Sequence, residues 1–431
     1  MVLRVKPVPE SRHPGKGPSE QKPVLAGVMG SFSNLAKSRN WRDLEEFFNP
    51  AGAFREVHLI SMGDDHEYEH IRFGTVVVHP IRSLSEAPRL RIINNLYTMA
   101  CALRRLRRVL REHDIALVAQ IFGGPLKFGL PAVVAAKEAG LPSVISLHND
   151  YERMMALTYS RPLRWAARFV WDYLFRNCTR VRSVSRYIAD FAIRAGVPPK
   201  KVQVIPNKED LEKFQATPSR EELLKMTAEI GLREVSADSV ILLTVARLTP
   251  AKNIAGMLRG FARAAAKIPH LYYVIAGDGP LRSELQRLAI QLGVADRVFF
   301  LGFVAHDRLR TLYHLADVFL FATHYEGQPR VLVEAMLARL PVVCANYGQV
   351  CEVVRDGHDG IWVDPNNVSD IANALETLAA DADLRRGMSM HPDFDAGLYS
   401  VERVGAQEAA FYLSLLAPRQ TSAITAIPKA S

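Results

Sequence analysis

The sequence predicts an α/β protein built from two doubly wound parallel sheets. Short, continuous apolar runs such as Val240–Ala246 and Leu271–Ala276 alternate with amphipathic segments along the chain. Continuous apolar runs are typical of strands that are buried on both faces of a parallel sheet. The alternation occurs twice, in residues 23–206 and again in 239–395, so we expect two domains of similar architecture.

The elements of the first domain follow from its apolar runs and turn residues. Gly140 closes the helix 130–139 and Pro142 lies just beyond it, which is a common way for a helix to end. The remaining assignments rest on the same patterns. We expect strands at 23–29, 57–60, 75–78, 115–121, 143–147, 180–185 and 202–205, and helices at 40–48, 97–111, 130–139 and 163–180.

The second domain repeats this pattern. Pro329, a residue favoured at the first position of a helix, opens the helix that follows strand 317–321. We expect the other strands at 240–246, 271–276, 298–301, 341–344 and 360–363, and the other helices at 253–266, 281–292, 308–315, 368–380 and 401–416.

Less regular segments separate and flank the two domains. Residues 207–238 are mixed and polar and predict the inter-domain connection. Residues 1–22 predict a disordered basic arm rather than a signal peptide, because they contain no apolar core. We expect 396–417 to form a closing helix that crosses back to the N-terminal domain, and 418–431 to be disordered.

Charge is unevenly distributed along the chain. Residues 1–206 hold 31 Lys and Arg against 18 Asp and Glu, whereas the whole chain holds 54 against 45. A basic first half predicts an anionic partner, either a membrane surface or a nucleic acid. No nucleic-acid-binding motif is present, so we expect the membrane.

The predicted helix 163–180 supports the same expectation. It interleaves Trp165, Phe169 and Trp171 with several arginines, as helices at anionic membrane surfaces do. The alternative is an ordinary helix that buries its aromatic residues in the core.

Four cysteines without metal-binding spacing predict reduced thiols in a cytoplasmic protein. No run of about 18 apolar residues predicts a membrane span.

The segment Phe321–Met336 is the strongest candidate site. Glu326 lies in the loop after a strand, and Glu334 lies on an otherwise apolar helix. A buried carboxylate needs a partner, and a helix start favours an anion. We interpret the pair as a site for a phosphorylated, hydroxyl-rich ligand; the alternative is a buried Glu334 satisfied by a nearby arginine.

Two cations follow the end of the predicted strand 240–246. Ligands of open α/β sheets bind beyond the carboxyl ends of the strands. Arg247 and Lys252 lie there and could neutralise a diphosphate. Singly, such residues are most often solvated surface groups.

Two other motifs predict little. His66–His70 matches the zinc-peptidase pattern H-E-x-x-H, but nothing around it predicts the helix that this pattern needs. Gly277-Asp-Gly279 follows a strand like a dinucleotide fingerprint, but Arg282 stands where its third glycine belongs. We therefore expect neither zinc nor a nicotinamide cofactor.

Taken together, these motifs resemble those of the group 1 branch of retaining, nucleotide-sugar-dependent glycosyltransferases. Glu326–Glu334 resembles the family's E-x7-E block, and Arg247 with Lys252-Asn253 resembles its diphosphate-binding segment. Ala276–Pro280 and Glu352–Gly357 resemble further family segments in the same order. The resemblance implies the GT-B fold, with two Rossmann-like domains that face a cleft.

The resemblance also implies roles for individual residues. Arg247 and Lys252 would hold the diphosphate, Glu334 the ribose, and Glu326 the donor sugar, which His148 would approach from the N-terminal domain. The same resemblance implies further donor-binding positions at Gly327, Gln328, Arg330, Val331, Phe303, Val304, Gly30 and Asn207.

Three positions depart from the family pattern. The loop Gly30–Ser33 lacks the usual paired glycines, Lys208-Glu209 replaces a glycine and an apolar residue, and Arg339 replaces a glycine after the helix. A left-handed backbone at Arg339 would be strained. The first departure touches the acceptor side.

The expected function is metal-independent, retaining transfer of a sugar from a UDP- or GDP-sugar to a glycan or lipid-linked acceptor, without a bound cofactor. Such transfer would serve cell-surface polysaccharide or glycolipid synthesis in the cytoplasm, with peripheral attachment to the membrane. Two alternatives stay open: a catalytically silent nucleotide-sugar-binding partner, and a nucleotide-sugar epimerase of similar fold.

Overall fold

A computed structural model describes residues 22–32, 41–63, 71–82, 91–231, 239–391 and 393–416 of the chain. The described residues form two compact units. The first is drawn from Met1–Ile145, Asn177–Thr179 and Gly405–Ser431, and the second from Ser146–Arg176 and Arg180–Val404. The predicted arm, the predicted tail and the motif His66–His70 lie outside the described residues, except for Lys22 of the arm.

The first sheet has eight strands. They are β1 (Val24–Met29), β2 (Glu56–Ser61), β3 (Arg72–Phe73), β4 (Val76–Pro80), β5 (Ile115–Gln120), β6 (Ser143–Leu147), β7 (Arg180–Ser183) and β8 (Val202–Val204). Their order across the sheet is β3-β4-β2-β1-β5-β6-β7-β8. β1 pairs in parallel with both β2 and β5, whereas β3 and β4 form an antiparallel pair.

The described residues of this part of the chain form six α-helices. They are α1 (Trp41–Phe48), α2 (Arg91–Glu112), α3 (Leu130–Glu138), α4 (Tyr151–Thr158), α5 (Arg161–Asn177) and α6 (Arg186–Arg194). Helix α2 is longer than the predicted 97–111, and it buries Ala102, Leu106 and Val109 despite its many arginines. Small and aliphatic residues on one face are enough to hold a basic helix against a sheet.

The second sheet has six strands in the order of a doubly wound nucleotide-binding fold. They are β9 (Val240–Val245), β10 (Leu271–Ala276), β11 (Val298–Gly302), β12 (Val318–Phe321), β13 (Val342–Ala345) and β14 (Gly360–Val363). The order is β11-β10-β9-β12-β13-β14, so the winding reverses between β9 and β12.

The remaining helices complete the second half of the chain. They are α7 (Leu211–Gln215), α8 (Arg220–Ile230), α9 (Ile254–Ala265), α10 (Arg282–Gln291), α11 (His306–Leu315), α12 (Arg330–Leu337), α13 (Val368–Ala380), α14 (Ala382–Ser389) and α15 (Val401–Leu413). Helices α7 and α8 lie in the segment predicted as the connection.

Burial of β9 explains its continuous apolar sequence. Val240 and Leu242 pack in one apolar cluster with α9, while Ile241 and Leu243 pack in another with α12. Both faces of the strand are therefore covered, as parallel sheets require. β9 is thus held by packing on both faces up to the polar segment that begins at Arg247.

Candidate active site

The candidate site lies where the winding of the second sheet reverses. β9 and β12 are neighbours in this sheet, with Val318 opposite Leu242 and Phe319 opposite Leu243. Because the two strands are parallel, the segments that follow them leave the sheet at the same edge. Open α/β proteins bind ligands at this position. The exits carry Arg247 after β9 and Glu326 after β12.

A short turn after β9 carries Lys252 to the loop after β12. Asn253 fixes this turn, because its side-chain amide donates to the carbonyl oxygens of Ala322 (2.9 Å) and Pro365 (2.7 Å). Lys252 then forms an ion pair with Glu326, and both side chains are mostly buried. The structure therefore brings together two of the residues that the sequence singled out.

Arg247 has a different environment. Its side chain is exposed and makes no hydrogen bond or ion pair with any residue in the described ranges. Close backbone packing surrounds its strand exit: a side chain at Gly277 or Gly279 would overlap the carbonyl oxygen of Ala246 or Leu248. Packing thus accounts for the glycine pair that resembled a dinucleotide fingerprint.

The loop after β12 is held by its backbone. The carbonyl oxygen of Glu326 accepts hydrogen bonds from the backbone N–H of Asp150 (3.3 Å) and from the side-chain amide of Gln349. Gly327 lies so close to His148 that an added Cβ atom would overlap the His148 carbonyl oxygen. The backbone of His148 is therefore placed beside the Glu326–Gly327 loop.

Helix α12 begins directly after this loop. Pro329 occupies its N-cap position, and no side chain caps the helix. The first N–H groups of a helix have no partner within the helix and favour an anion. The N–H groups at the start of α12, at Arg330 and Val331, are thus available to a hydrogen-bond acceptor such as an anionic oxygen.

Glu334 on α12 is buried and has protein partners. Tyr313 donates to it from its hydroxyl at 2.7 Å, and Nε2 of His306 lies 3.3 Å from its other oxygen. Burial alone would raise the pKa of Glu334, but the hydrogen bond from His306 and the charge of Arg330 lower it below its ordinary value. The carboxylate is therefore ionised, and its remaining lone pairs can accept further hydrogen bonds.

Arg330 points to a carboxylate from another segment. Its guanidinium donates to Glu209, which is buried. Burial would lower the pKa of Arg330, but the charge and hydrogen bonds of Glu209 raise it above its usual value. One departure from the family pattern, Glu209, is therefore the partner of a predicted site residue.

Gln328 and Asn207 also meet. The backbone N–H of Asn207 donates to the side-chain oxygen of Gln328. Nε2 of the same side chain is buried and makes no hydrogen bond with the described residues. Such a group is costly to leave without a partner, so it is suited to a ligand oxygen.

The other predicted positions are more dispersed. Phe303 follows β11 and is 77% exposed, with Val304 beside it. Gly30 belongs to the first unit and follows β1, where its carbonyl oxygen accepts a hydrogen bond from the hydroxyl of Ser61 at the end of β2. Ser33 lies outside the described residues.

Several residues around the loop were missed by sequence reasoning. Arg153 lies over the ring of Tyr347 at 3.9 Å and donates to the carbonyl oxygen of His324. Tyr347 in turn contacts Thr323 through its hydroxyl. Asp150, whose backbone also contacts this loop, could have been noticed in the sequence, because Asp is favoured at the N-cap of a helix. Its side chain does cap the start of α4.

The predicted site residues include no group with metal-ligand geometry in the described part of the chain. Glu56, His58 and His113 of the first unit do have ligand atoms within 4.8 Å of one another. The ring centroids of His58 and His113 lie 3.9 Å apart with the rings tilted by 40°, and Glu56 is paired with Arg72. None of these residues is among the predicted site residues.

The architecture matches that of known glycosyltransferase structures. The structure of Anabaena HepE in complex with UDP and glucose superimposes with a TM-score of 0.71 and 20% identity, over 91% of this chain and 99% of that chain. At this level of identity the similarity shows the fold. The chain has the GT-B fold, with α/β architecture as predicted.

Sequence comparison then gives the family. Residues 233–390 match the model of the family described as Glycosyl transferases group 1, and residues 53–213 match that of Glycosyltransferase Family 4. The two matches together span most of the chain, which belongs to the group 1 glycosyltransferases. The predicted membership in group 1 is confirmed, whereas the retaining mechanism stays a prediction.

Two curated relatives illustrate the range of the family. An uncharacterized glycosyltransferase of Methanocaldococcus jannaschii is 36% identical over 56% of this chain, and the match spans 61% of that protein's length. A GDP-mannose-dependent alpha-(1-6)-phosphatidylinositol monomannoside mannosyltransferase of Mycobacterium tuberculosis is 29% identical over 65% of this chain and 70% of its own length. Among the described residues, no helix is both long enough and apolar enough to cross a membrane.

Proposed function

We propose that this protein is a retaining glycosyltransferase that moves a sugar from a UDP- or GDP-sugar to a glycan or lipid-linked acceptor. The observation that carries the proposal is the meeting of Lys252, Glu326 and the uncapped start of α12 at the winding reversal of the second sheet. Charged groups of both signs and free N–H groups suit a sugar diphosphate.

The cations act on the leaving group. As the bond to the sugar breaks, negative charge develops on the departing diphosphate oxygen. Arg247, Lys252 and the N–H groups of Arg330 and Val331 stabilise this charge, which is often the largest contribution to catalysis. Arg247 is free of protein partners in the described ranges, so it can engage a phosphate without breaking an ion pair.

Binding of a diphosphate rearranges the Lys252–Glu326 pair. Lys252 turns to a phosphate oxygen, and the carboxylate of Glu326 becomes free to accept hydrogen bonds from the donor sugar. The backbone at Gly327 and the side chain of Gln328 provide further contacts, while His148 approaches the sugar from the neighbouring segment. Glu334 accepts hydrogen bonds from the ribose hydroxyls, and Phe303 and Val304 lie beside the base.

Retention follows from attack on the same face as departure. A phosphate oxygen of the leaving group takes the proton of the acceptor hydroxyl, so no protein nucleophile is required. This differs from retaining glycosidases, in which a second carboxylate attacks the sugar. The charge on the leaving group is balanced by protein cations in the proposed mechanism, which therefore needs no metal.

A lipid-linked acceptor at the cytoplasmic membrane face fits the surface of α5. Leu163, Trp165 and Phe169 are exposed there beside Arg164 and Arg168, whereas Trp171 is buried. Aromatic and basic residues on one helix face favour an anionic membrane surface. The phosphatidylinositol acceptor named for the mycobacterial relative supports the same class.

Thermal unfolding with nucleotides tests the proposal. Purified protein is titrated with UDP, GDP, ADP and their sugar conjugates in the presence of a chelator. A ligand at about 100 times its dissociation constant stabilises the fold by about 2.7 kcal/mol. We expect one nucleotide class to raise the melting temperature, and Lys252→Ala to remove the shift.

Lys267→Ala is the matched control. Lys267 is exposed and forms an ion pair with Glu376 on the same half of the chain. Its variant should keep the nucleotide shift. A wild-type protein that binds no nucleotide contradicts the proposal. Binding without transfer to any acceptor favours a silent partner protein, and a product formed without acceptor favours an epimerase.

A further inference from the structure

A group of titratable side chains in the first unit has no role in the proposed reaction. Glu56 and His58 lie on β2, and His113 follows the end of α2. One ligand atom from each of the three lies within 4.8 Å of the others. Two imidazoles and a carboxylate form a donor set that zinc takes in proteins.

The spacing of the sequence explains why these side chains meet. Successive residues of a strand point to opposite faces, so Glu56, His58 and Ile60 share one face of the sheet. Ile60 packs on that face in an apolar cluster that includes Val109 of α2. His113 comes four residues after Val109 and continues the helical turn, because its backbone N–H donates to the Val109 carbonyl oxygen at 3.0 Å. The two histidines therefore lie at the end of the same interface.

Nε2 of His58 is buried and makes no hydrogen bond with the described residues. The whole residue is 1% exposed. Oε2 of Glu56 lies 3.3 Å from this nitrogen but accepts no hydrogen bond from it. A buried polar atom without a partner is costly, and a cation held between the two atoms would satisfy both.

The distance between these two atoms fits a shared metal ion. Two ligand atoms at about 2.1 Å from a tetrahedral zinc ion are about 3.4 Å apart. Nε2 of His58 and Oε2 of Glu56 are 3.3 Å apart. Rotation of the His113 side chain, which is only partly buried, brings its ring nitrogen to the same ion.

Neighbouring side chains hold the two ligands in place. Nδ1 of His58 lies 3.0 Å from Nε2 of His79, and donation of its proton there leaves the lone pair on Nε2 of His58. Burial lowers the pKa of His58, as does the nearby His113, so its imidazole is neutral, the form that binds metals. Oε1 of Glu56 is paired with Arg72 at 2.9 Å, which leaves Oε2 for the ion.

We propose that Glu56, His58 and His113 bind a divalent transition-metal ion such as zinc, with water in the fourth position. The ion joins β2 to the end of α2 and stabilises the first unit. It takes no part in sugar transfer. Glu56 begins β2 at the amino edge of the sheet, whereas the predicted site residue Gly30 follows the carboxyl end of β1.

Zinc titration of the metal-free chain tests the proposal. Protein treated with a chelator and desalted is titrated with Zn²⁺ in competition with a chromophoric chelator, and its melting temperature is measured with and without the ion. We expect one equivalent to bind and to raise the melting temperature, because an ion held only by the folded state stabilises it. Mg²⁺, which prefers oxygen ligands, should do neither.

Two single variants each remove one ligand. We expect His113→Gln, at a partly exposed position, to weaken zinc binding at least tenfold and to lose the zinc-dependent rise in melting temperature. Glu56→Gln should behave in the same way. The near-UV circular dichroism of both variants without metal should match that of the wild type. The double variant His66→Gln/His70→Gln is the matched control, because it removes the histidines of the zinc-peptidase pattern and should keep wild-type zinc binding.

Three results would overturn the site. They are the absence of zinc binding to the wild type, zinc binding that survives both ligand variants, and equal binding of Mg²⁺. Loss of zinc binding in His66→Gln/His70→Gln would assign the ion to that motif instead. The nucleotide shift is measured in the presence of a chelator, so failure of the proposed function is distinguishable from failure of this site.

Discussion

Nη2 of Arg330 donates to Oε2 of Glu209 at 2.7 Å, across 121 positions of sequence. The side chain of Glu209 is fully buried, and its backbone N–H donates to the carbonyl oxygen of Tyr399 at 2.7 Å. The pair fixes the first residue of α12 to the segment after β8. It therefore positions the helix start that we propose to bind phosphate.

Replacing one residue of this pair should reduce the free energy of unfolding more than replacing both. Arg330→Leu leaves a buried carboxylate without its partner, and we expect a loss of about 2–4 kcal/mol in the free energy of unfolding, since part of Arg330 is exposed. The double variant Glu209→Leu/Arg330→Leu should recover at least half of that loss. Urea denaturation of the two single variants and the double variant measures the coupling, and additive losses would mean that the pair is not coupled.

Glu334 should make stability depend on acidic pH. Its pKa is lowered in the folded protein from an ordinary value of about 4.5. The stabilisation is therefore present above that value and is lost as pH falls through the folded pKa. We expect the wild type to lose more free energy of unfolding than Glu334→Gln between about pH 6 and pH 3.

The exposed Glu402→Gln variant is the reference for this comparison. Its loss over the same pH range should equal that of the wild type. If Glu334→Gln also follows the wild-type curve, the carboxylate does not titrate as its contacts with Tyr313 and His306 indicate.

The strands of the fold could be predicted from the sequence more accurately than the helices. β6, β10 and β14 begin and end where the apolar runs do, because a strand buried on both faces needs an uninterrupted run. Helices α4 and α6 were missed, although Asp150 and Ser185 cap them through their side chains. β3 has only two residues, too few for a pattern.

For the site, the sequence identified the charged residues but not their partners. A carboxylate on an apolar helix predicts that Glu334 needs a partner. Nothing in the spacing of α11 indicates that Tyr313 and His306 provide it, because both fit an ordinary amphipathic helix. Glu209 was visible only as a departure from a pattern, and its buried contact with Arg330 depends on tertiary structure.

Arg339 stores backbone strain, as expected for a residue in a glycine position. Its φ is +62°, and its guanidinium donates to the carbonyl oxygen of Met390. A left-handed backbone costs a non-glycine residue roughly 1–2 kcal/mol. We expect Arg339→Gly to be more stable than Arg339→Ala by about 1 kcal/mol, because both lose the hydrogen bond and only glycine relieves the strain. Thermal denaturation compares them; equal stability would show that the strain is negligible.

The exposed aromatic pair on α5 should bind anionic membranes. The rings of Trp165 and Phe169 meet edge to face at 4.6 Å, and both remain more than half exposed. We expect Trp165→Ser/Phe169→Ser to reduce co-sedimentation with phosphatidylglycerol vesicles at least fivefold, whereas Met390→Ser, at another exposed apolar position, leaves it unchanged. Equal binding by all three proteins would leave α5 without a membrane role.

Gly327 should tolerate no side chain, because its backbone lies against the carbonyl oxygen of His148. A Cβ atom there must displace the loop that carries Glu326, so we expect Gly327→Ala to lower transfer at least tenfold and to weaken nucleotide binding. Gly387, in α14, has open space around it, and Gly387→Ala should instead stabilise the protein by about 0.5–1 kcal/mol. Transfer assays and melting temperatures of both variants test the pair. Full activity in Gly327→Ala would mean that contact with His148 is not required for the loop to hold the donor.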